Sequence, residues 1–270
     1  MKIAVFGGTF NPIHLGHIHL ALAFHKKLQF DKILLIPANS PPHKEAPDLA
    51  CAADRLEMCR LAAECDPVFE VDDIEIQSGG VSYTVDTLAK LRERYPGAEW
   101  YFIMGSDMFL TFEKWRRYRE IMEHCVLCSA ARENGVFEKL CEQRSRLQEQ
   151  GATVHLLQID VMEVSSTFVR ACVMNKAEAS AYLNKDVLAY IAAHGLYQGA
   201  YTGRIDSFLL VLRQNLSEKR CCHSLCVAQL AVELACRHGA DMHRAYIAGL
   251  ARCGYDPRRK SCCNDDAAHI

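Results

Sequence analysis

Gly7-Gly8-Thr9-Phe10-Asn11-Pro12-Ile13-His14-Leu15-Gly16-His17 follows an apolar run at residues 3–6 and precedes a helical pattern at 18–28. The order is strand, glycine turn, helix. Two glycines let the chain turn tightly and let a ligand approach the main chain. His17 falls at or near a helix N-terminus, where unpaired N–H groups and partial positive charge favour phosphate. His14 and His17, three apart, can point into one space, and imidazoles can donate to phosphate oxygens and stabilise charge that develops in a transition state. The string is neither GxxxxGK[S/T] nor GxGxxG, which argues against a P-loop enzyme and a dehydrogenase.

Outward from this string the first 197 residues alternate in texture. Strands are expected at 3–6, 32–37, 100–104, 126–130 and 154–158, with helices at 18–28, 54–64, 84–95 and 137–149. Such alternation predicts an α/β fold, a Rossmann-like, mostly parallel sheet covered on both faces. Ligands then sit beyond the carboxyl ends of the strands. From residue 201 the pattern is helical only, with Ser217 and Gly239 as caps of one helix and Asp241 as cap of another through 245–250. Two domains are therefore expected, 1–197 and a small all-helical 201–270. The stretch from Cys253 onward loses apolar periodicity and reads as a frayed tail.

Composition narrows the class. The 270 residues carry a formal charge of −2, so no global field favours nucleic acid or an acidic membrane. No apolar run reaches about 18 residues, and the N-terminus lacks a signal-peptide pattern. The 14 cysteines are expected as free thiols in a reducing cytoplasm. Cys125-Val126-Leu127-Cys128 has metal or redox spacing but lies in an apolar strand run, so structural thiols are expected there too.

A second string, Val164-Ser165-Ser166-Thr167-Phe168-Val169-Arg170, offers an N-cap serine, hydroxyls and, one helical turn on, a guanidinium. Together the two strings resemble the HxGH nucleotidyltransferase signature and its (I/V)SSTxxR partner. That resemblance implies transfer of a nucleotidyl group from a nucleoside triphosphate. It assigns His14, His17 and Arg170 to catalysis, and Gly7, Gly8, Thr9, Phe10, His17, Ser165, Ser166, Thr167 and Arg170 to ATP.

The intervening residues narrow the acceptor. Pro41-Pro42-His43-Lys44, Ser82-Tyr83-Thr84-Val85-Asp86-Thr87-Leu88, Gly105-Ser106-Asp107 and Lys114-Trp115, in this order, resemble the bacterial nicotinate-nucleotide adenylyltransferases over roughly residues 1–197. The implied reaction joins ATP and nicotinate mononucleotide into deamido-NAD and pyrophosphate, for NAD synthesis, with Mg²⁺ carried by ATP. Gly105, Asp107 and Arg132 are then expected on the ATP side. On the acceptor side, Lys44 is expected at the phosphate. Ser82 is expected to cap a helix whose first N–H groups, near Tyr83 and Thr84, take the nicotinate carboxylate. Trp115 is expected to stack on the pyridine ring. Arg55 and Arg60 read as surface helix charges. Two departures stand out: Asn11 where many relatives have Asp, and Glu133-Asn134-Gly135 where a proline turn is expected after Arg132.

Residues 219–228 and 245–250 resemble the opening of an HD-type phosphohydrolase domain, with His223 as first metal ligand. Arg252 and Cys253 stand where the family has its His-Asp pair, so a truncated, hydrolytically inactive segment is expected, as is no metal site in the chain. Its apolar helix faces point to a possible homo-oligomer. The competing readings are transfer to nicotinamide mononucleotide or phosphopantetheine, an HD-type phosphohydrolase, and a non-catalytic nucleotide-binding module.

Overall fold

A computed structural model describes residues 1–39, 49–131, 135–159, 162, 164–174 and 179–197, and then 224, 227, 228, 230, 231, 234, 235, 245, 246, 248 and 249. The chain divides into two compact units, Met1–Val169 with Ala179–Leu196, and Arg170–Glu178 with Tyr197–Ile270.

The first unit is built on six parallel strands: β1 (Lys2–Gly8), β2 (Lys32–Pro37), β3 (Phe69–Val71), β4 (Glu99–Ile103), β5 (Val126–Ala131) and β6 (Val154–Gln158). Their order is β3-β2-β1-β4-β5-β6. The chain reverses its direction of travel between β1 and β4, and the carboxyl ends of these two strands bracket the crevice where such sheets bind ligands. Alternate residues face opposite sides, yet Ile3, Ala4, Val5 and Phe6 are all buried. Covering both faces requires this continuous apolar run, in contrast to the alternation of a one-sided sheet. One face packs Ile3, Val5, Leu34, Ile36, Trp100 and Phe102 into the main core cluster.

The helices are α1 (Leu15–Leu28), α2 (Ala52–Ala63), α3 (Ile74–Ser78), α4 (Thr84–Arg94), α5 (Ser106–Leu110), α6 (Tyr118–His124), α7 (Gly135–Glu149), α8 (Ser166–Met174) and α9 (Lys185–Ala193), with a 3-10 turn at Phe112–Lys114. All five expected strands form. The unexpected one, β3, has three residues, too few for a period to register, and it closes one edge of the sheet. There Lys32 pairs with Glu70 at 2.5 Å, and Arg94 pairs with buried Asp72. Cys125 and Cys128 are buried free thiols; burial pushes Cys125 up to about 12 and Cys128 also upward, so both stay protonated and inert.

In the second unit, residues 224, 227, 228, 230, 231, 234 and 235 are helical, as are 245, 246, 248 and 249. Gly249 lies against the Ala228 backbone, so close that a Cβ would stand 2.4 Å from Ala228 Cα. The expected tail after Cys253 lies outside the described residues. Among the described residues, no helix is long and apolar enough to cross a membrane.

Candidate active site

Helix α1 starts at Leu15, three residues before the expected first position, because of how its two histidines are spaced. His14 is the N-cap, in extended conformation, and His17 is the third helical residue. The His14 N–H donates to His17 Nδ1 at 3.2 Å. This is the reach-back half of a capping box, with an imidazole doing what Glu or Gln does elsewhere. The bond also decides a tautomer. Nδ1 accepts, so the neutral ring carries its proton on Nε2 and keeps that N–H for a ligand. No acidic side chain occupies the first turn of α1 or of α8. Both helix starts are therefore suited to anions.

The loop before α1 is shaped by aromatic packing. Phe10 has φ +46°, in the left-handed region that a bulky side chain rarely visits. It is held there because its buried ring packs edge-on to Phe6 (5.7 Å) and His17 (5.1 Å). Gly8 makes this possible: a Cβ there would stand 3.0 Å from the Phe10 ring. The Asn11-Pro12 peptide is cis. Asn11, buried, accepts the Ala50 N–H at 3.0 Å through Oδ1. An Asp oxygen would accept equally well, so the departure at position 11 preserves loop order.

His14 and His17 stack face to face, with ring centroids 3.6 Å apart. Burial lowers His14 to about 3; burial and then the neighbouring His14 charge lower His17 well below its usual value. Both rings are neutral at pH 7. In the unfolded chain each imidazole takes up its proton near pH 6.5. The unfolded state therefore binds more protons below that pH, and folding stability falls as pH drops from 6.5 toward 3, by about 1.4 kcal/mol per unit for one imidazole kept neutral. Thermal melts between pH 7 and pH 5 should show Tm decreasing, with a shallower decrease in His14→Asn. Equal slopes in the two proteins would contradict the burial of a neutral His14.

The second string meets the first directly. Ser166 Oγ donates to the Pro12 carbonyl at 2.9 Å. Ser165 caps α8 by accepting the Phe168 N–H at 3.1 Å. A Cβ on Gly16 would stand 2.7 Å from Val164 Cγ1 and 3.1 Å from the Met162 carbonyl oxygen. Gly16 thus permits this close approach between residues 162–164 and the first turn of α1. Thr167 follows Ser166 in the first turn of α8, and Arg170, buried, lies one turn after Ser166 on the same helix.

On the other side of the crevice, Gly105 follows β4 and Asp107 is exposed in the first turn of α5, its Oδ1 lying back over Gly105. Tyr83, not Ser82, occupies the N-cap position of α4, and no side chain caps that helix. The expected Ser82 cap is therefore corrected. The chain turns into the helix one residue later, and the first-turn amides of α4 are left without a serine lid. Trp115 is half-buried, its ring edge-on to Phe102 (5.8 Å) and tilted on Phe112 (5.5 Å). The turn after it is tied to the start of α4: Arg116 stacks over the Tyr83 ring at 4.5 Å and Arg117 reaches Asp86 at 3.3 Å. The residue after Trp115 is thereby held against the residue that precedes α4. Lys44 and Arg132 lie outside the described residues.

Arg55 departs most from expectation. It is 1% exposed, and its guanidinium donates to the carbonyls of Thr9 (2.9 Å), Ala38, Asn39 (2.8 Å) and Ala50 (3.0 Å). A surface charge was expected. The signal was present in the sequence: Arg55 shares the stripe Met58, Cys59, Ala62 at helical spacing, the face that α2 buries. Arg60 is exposed and pairs with Glu57 at 3.3 Å, as expected.

Residues 5–172 match the cytidylyltransferase-like family. Two curated relatives carry the name "Probable nicotinate-nucleotide adenylyltransferase". The one from Lachnoclostridium phytofermentans is 34% identical over 73% of this chain and 98% of its own. The one from Nostoc sp. is 37% identical over 72% and 96%. The chain belongs to this nucleotidyltransferase family. Its fold is shared with the Plasmodium falciparum nicotinic acid mononucleotide adenylyltransferase solved in complex with NaAD, at TM-score 0.60 and 18% identity, covering 73% of this chain and 97% of that one. The same enzyme complexed with APC superposes with TM-score 0.59 over 96% of its length.

Proposed function

We propose that the protein transfers the adenylyl group of ATP to nicotinate mononucleotide. An oxygen of the acceptor phosphate attacks the α-phosphorus of ATP, the α–β bridging bond breaks, and pyrophosphate leaves with deamido-NAD as product. The acceptor is already an anion, so catalysis reduces to positioning and charge stabilisation. The observation that supports this reading is the close approach of Gly16 to Val164 and the bond of Ser166 to Pro12, which brings two helix starts free of acidic side chains together at the end of β1.

In this reading His17 donates from Nε2 to the triphosphate, His14 lies stacked behind it, and Arg170 offsets charge that develops on the phosphates. Gly7, Gly8, Thr9, Phe10, Ser165, Ser166 and Thr167 line the phosphate path. Gly105 and Asp107 serve the ribose side of ATP, and Arg132 meets the triphosphate. Mg²⁺ enters on the triphosphate as part of the substrate and keeps most of its waters. For the acceptor, the first amides of α4 near Ser82, Tyr83 and Thr84 take the nicotinate carboxylate. Trp115 offers its face to the pyridine ring, and Lys44 meets the phosphate.

Residues 1–197 are proposed as the catalytic domain. Residues 201–270 are proposed as an HD-like helical segment without hydrolytic activity, since Arg252-Cys253 replaces the metal-binding His-Asp pair.

The test is pyrophosphate release from Mg-ATP with nicotinate mononucleotide, nicotinamide mononucleotide and phosphopantetheine as separate acceptors. Release is expected to be fastest with the first and at background without acceptor. Absence of release with either pyridine nucleotide would sink the proposal.

A further inference from the structure

We infer that Arg55 is a positioning residue of the nucleotidyl-transfer site: its one guanidinium sets the relative placement of the loop after β1 and the chain leaving β2. The inference rests on the role proposed for Thr9 at the phosphates. Four of its N–H···O bonds end on main-chain carbonyls from three separate segments: Thr9, the pair Ala38 and Asn39, and Ala50. A cation buried to 1% exposure is costly unless hydrogen bonds satisfy it. Here those bonds fall on backbone, so what they fix is chain position rather than a side-chain rotamer.

Three further contacts surround the clamp. Ala38 N–H donates to the Gly8 carbonyl at 2.9 Å, Ala50 N–H donates to Asn11 Oδ1 at 3.0 Å, and Asn39 Nδ2 donates to the Gly80 carbonyl at 3.2 Å. The last of these links the clamp toward the start of α4. Arg55 thus stands behind the loop after β1 without lying among the residues assigned to either substrate. Its planar fork spreads donors over several directions at fixed angles. A lysine ammonium has three donors at one point and does not span these carbonyls.

The experiment compares wild type with Arg55→Lys and Arg55→Gln at a temperature well below the melting point of each. Per folded molecule, kcat is expected to fall about tenfold to a hundredfold in both variants, as misplacement by an ångström does. Amide exchange without substrate is expected to quicken at residues 7–11, 38 and 50, and to remain at wild-type rates in β4 and β5. A residue that only supports folding would lower Tm and leave both readouts unchanged in the folded protein. Wild-type turnover with unchanged protection at these amides would therefore overturn the inference, as would failure of both variants to fold. If the wild type is silent with nicotinate mononucleotide, the proposed function fails and the clamp does not. The clamp is then read from amide exchange and from Mg-ATP affinity, expected to weaken in both variants; unchanged affinity and exchange would overturn it.

Discussion

Replacing His17 by Ala is expected to lower kcat by about 100-fold or more, the loss associated with one well-placed donor to a developing oxyanion. That factor corresponds to about 2.7 kcal/mol of transition-state stabilisation. The substitution removes two things at once, because Nδ1 of the same ring accepts the His14 N–H that starts α1. His17→Gln separates them. A Gln at this position restores the reach-back bond, since Gln serves in capping boxes, but it has no ring N–H held opposite that bond. The melting temperature of His17→Gln should recover most of what His17→Ala loses, while kcat stays low. Near wild-type turnover in either variant would remove His17 from the mechanism.

Gly16→Ala is expected to cut kcat/KM by tenfold or more and to lower stability by about 1–3 kcal/mol, the usual cost of overpacking. The added methyl would stand 2.7 Å from Val164 Cγ1 and 3.1 Å from both the Met162 carbonyl oxygen and His14 Nδ1. Alanine gains up to about 1 kcal/mol over glycine in helix propensity, which is too little to offset a clash with the Val164 side chain together with tight contacts to the Met162 carbonyl and the His14 ring. Relief is expected from a retreat of residues 162–164, which would weaken the Ser166 bond to Pro12. Steady-state kinetics and a thermal melt on one preparation check both halves. Wild-type values for each would mean that the two strings do not depend on their close approach.

The parts of the fold that repeat were legible in the sequence. Strands of five residues or more announce themselves by apolar runs, and helices of three turns by their stripe. Phe69–Val71, α5 and α6 are too short to repeat their period often enough to reveal it. The site was legible where chemistry forces residue identity, as at His14, Gly16, His17 and Ser166. It was less so where function passes through the main chain. Ser82 looked like a cap, yet the turn into α4 comes one residue later. The burial of Arg55 was legible in its stripe with Met58, Cys59 and Ala62, but its partners were not, because they are carbonyls and carbonyls carry no sequence signature. His17 was visible as a donor, whereas its tautomer depends on a backbone N–H that only the folded turn brings near.

The carbonyls of Asn39 and Ala50 are both held by one guanidinium. The chain leaving β2 and the chain entering α2 therefore share one anchor. Positions 39 and 50 are thus natural junctions for exchanging the sequence between them, because both are fixed by a residue that lies outside the exchanged piece.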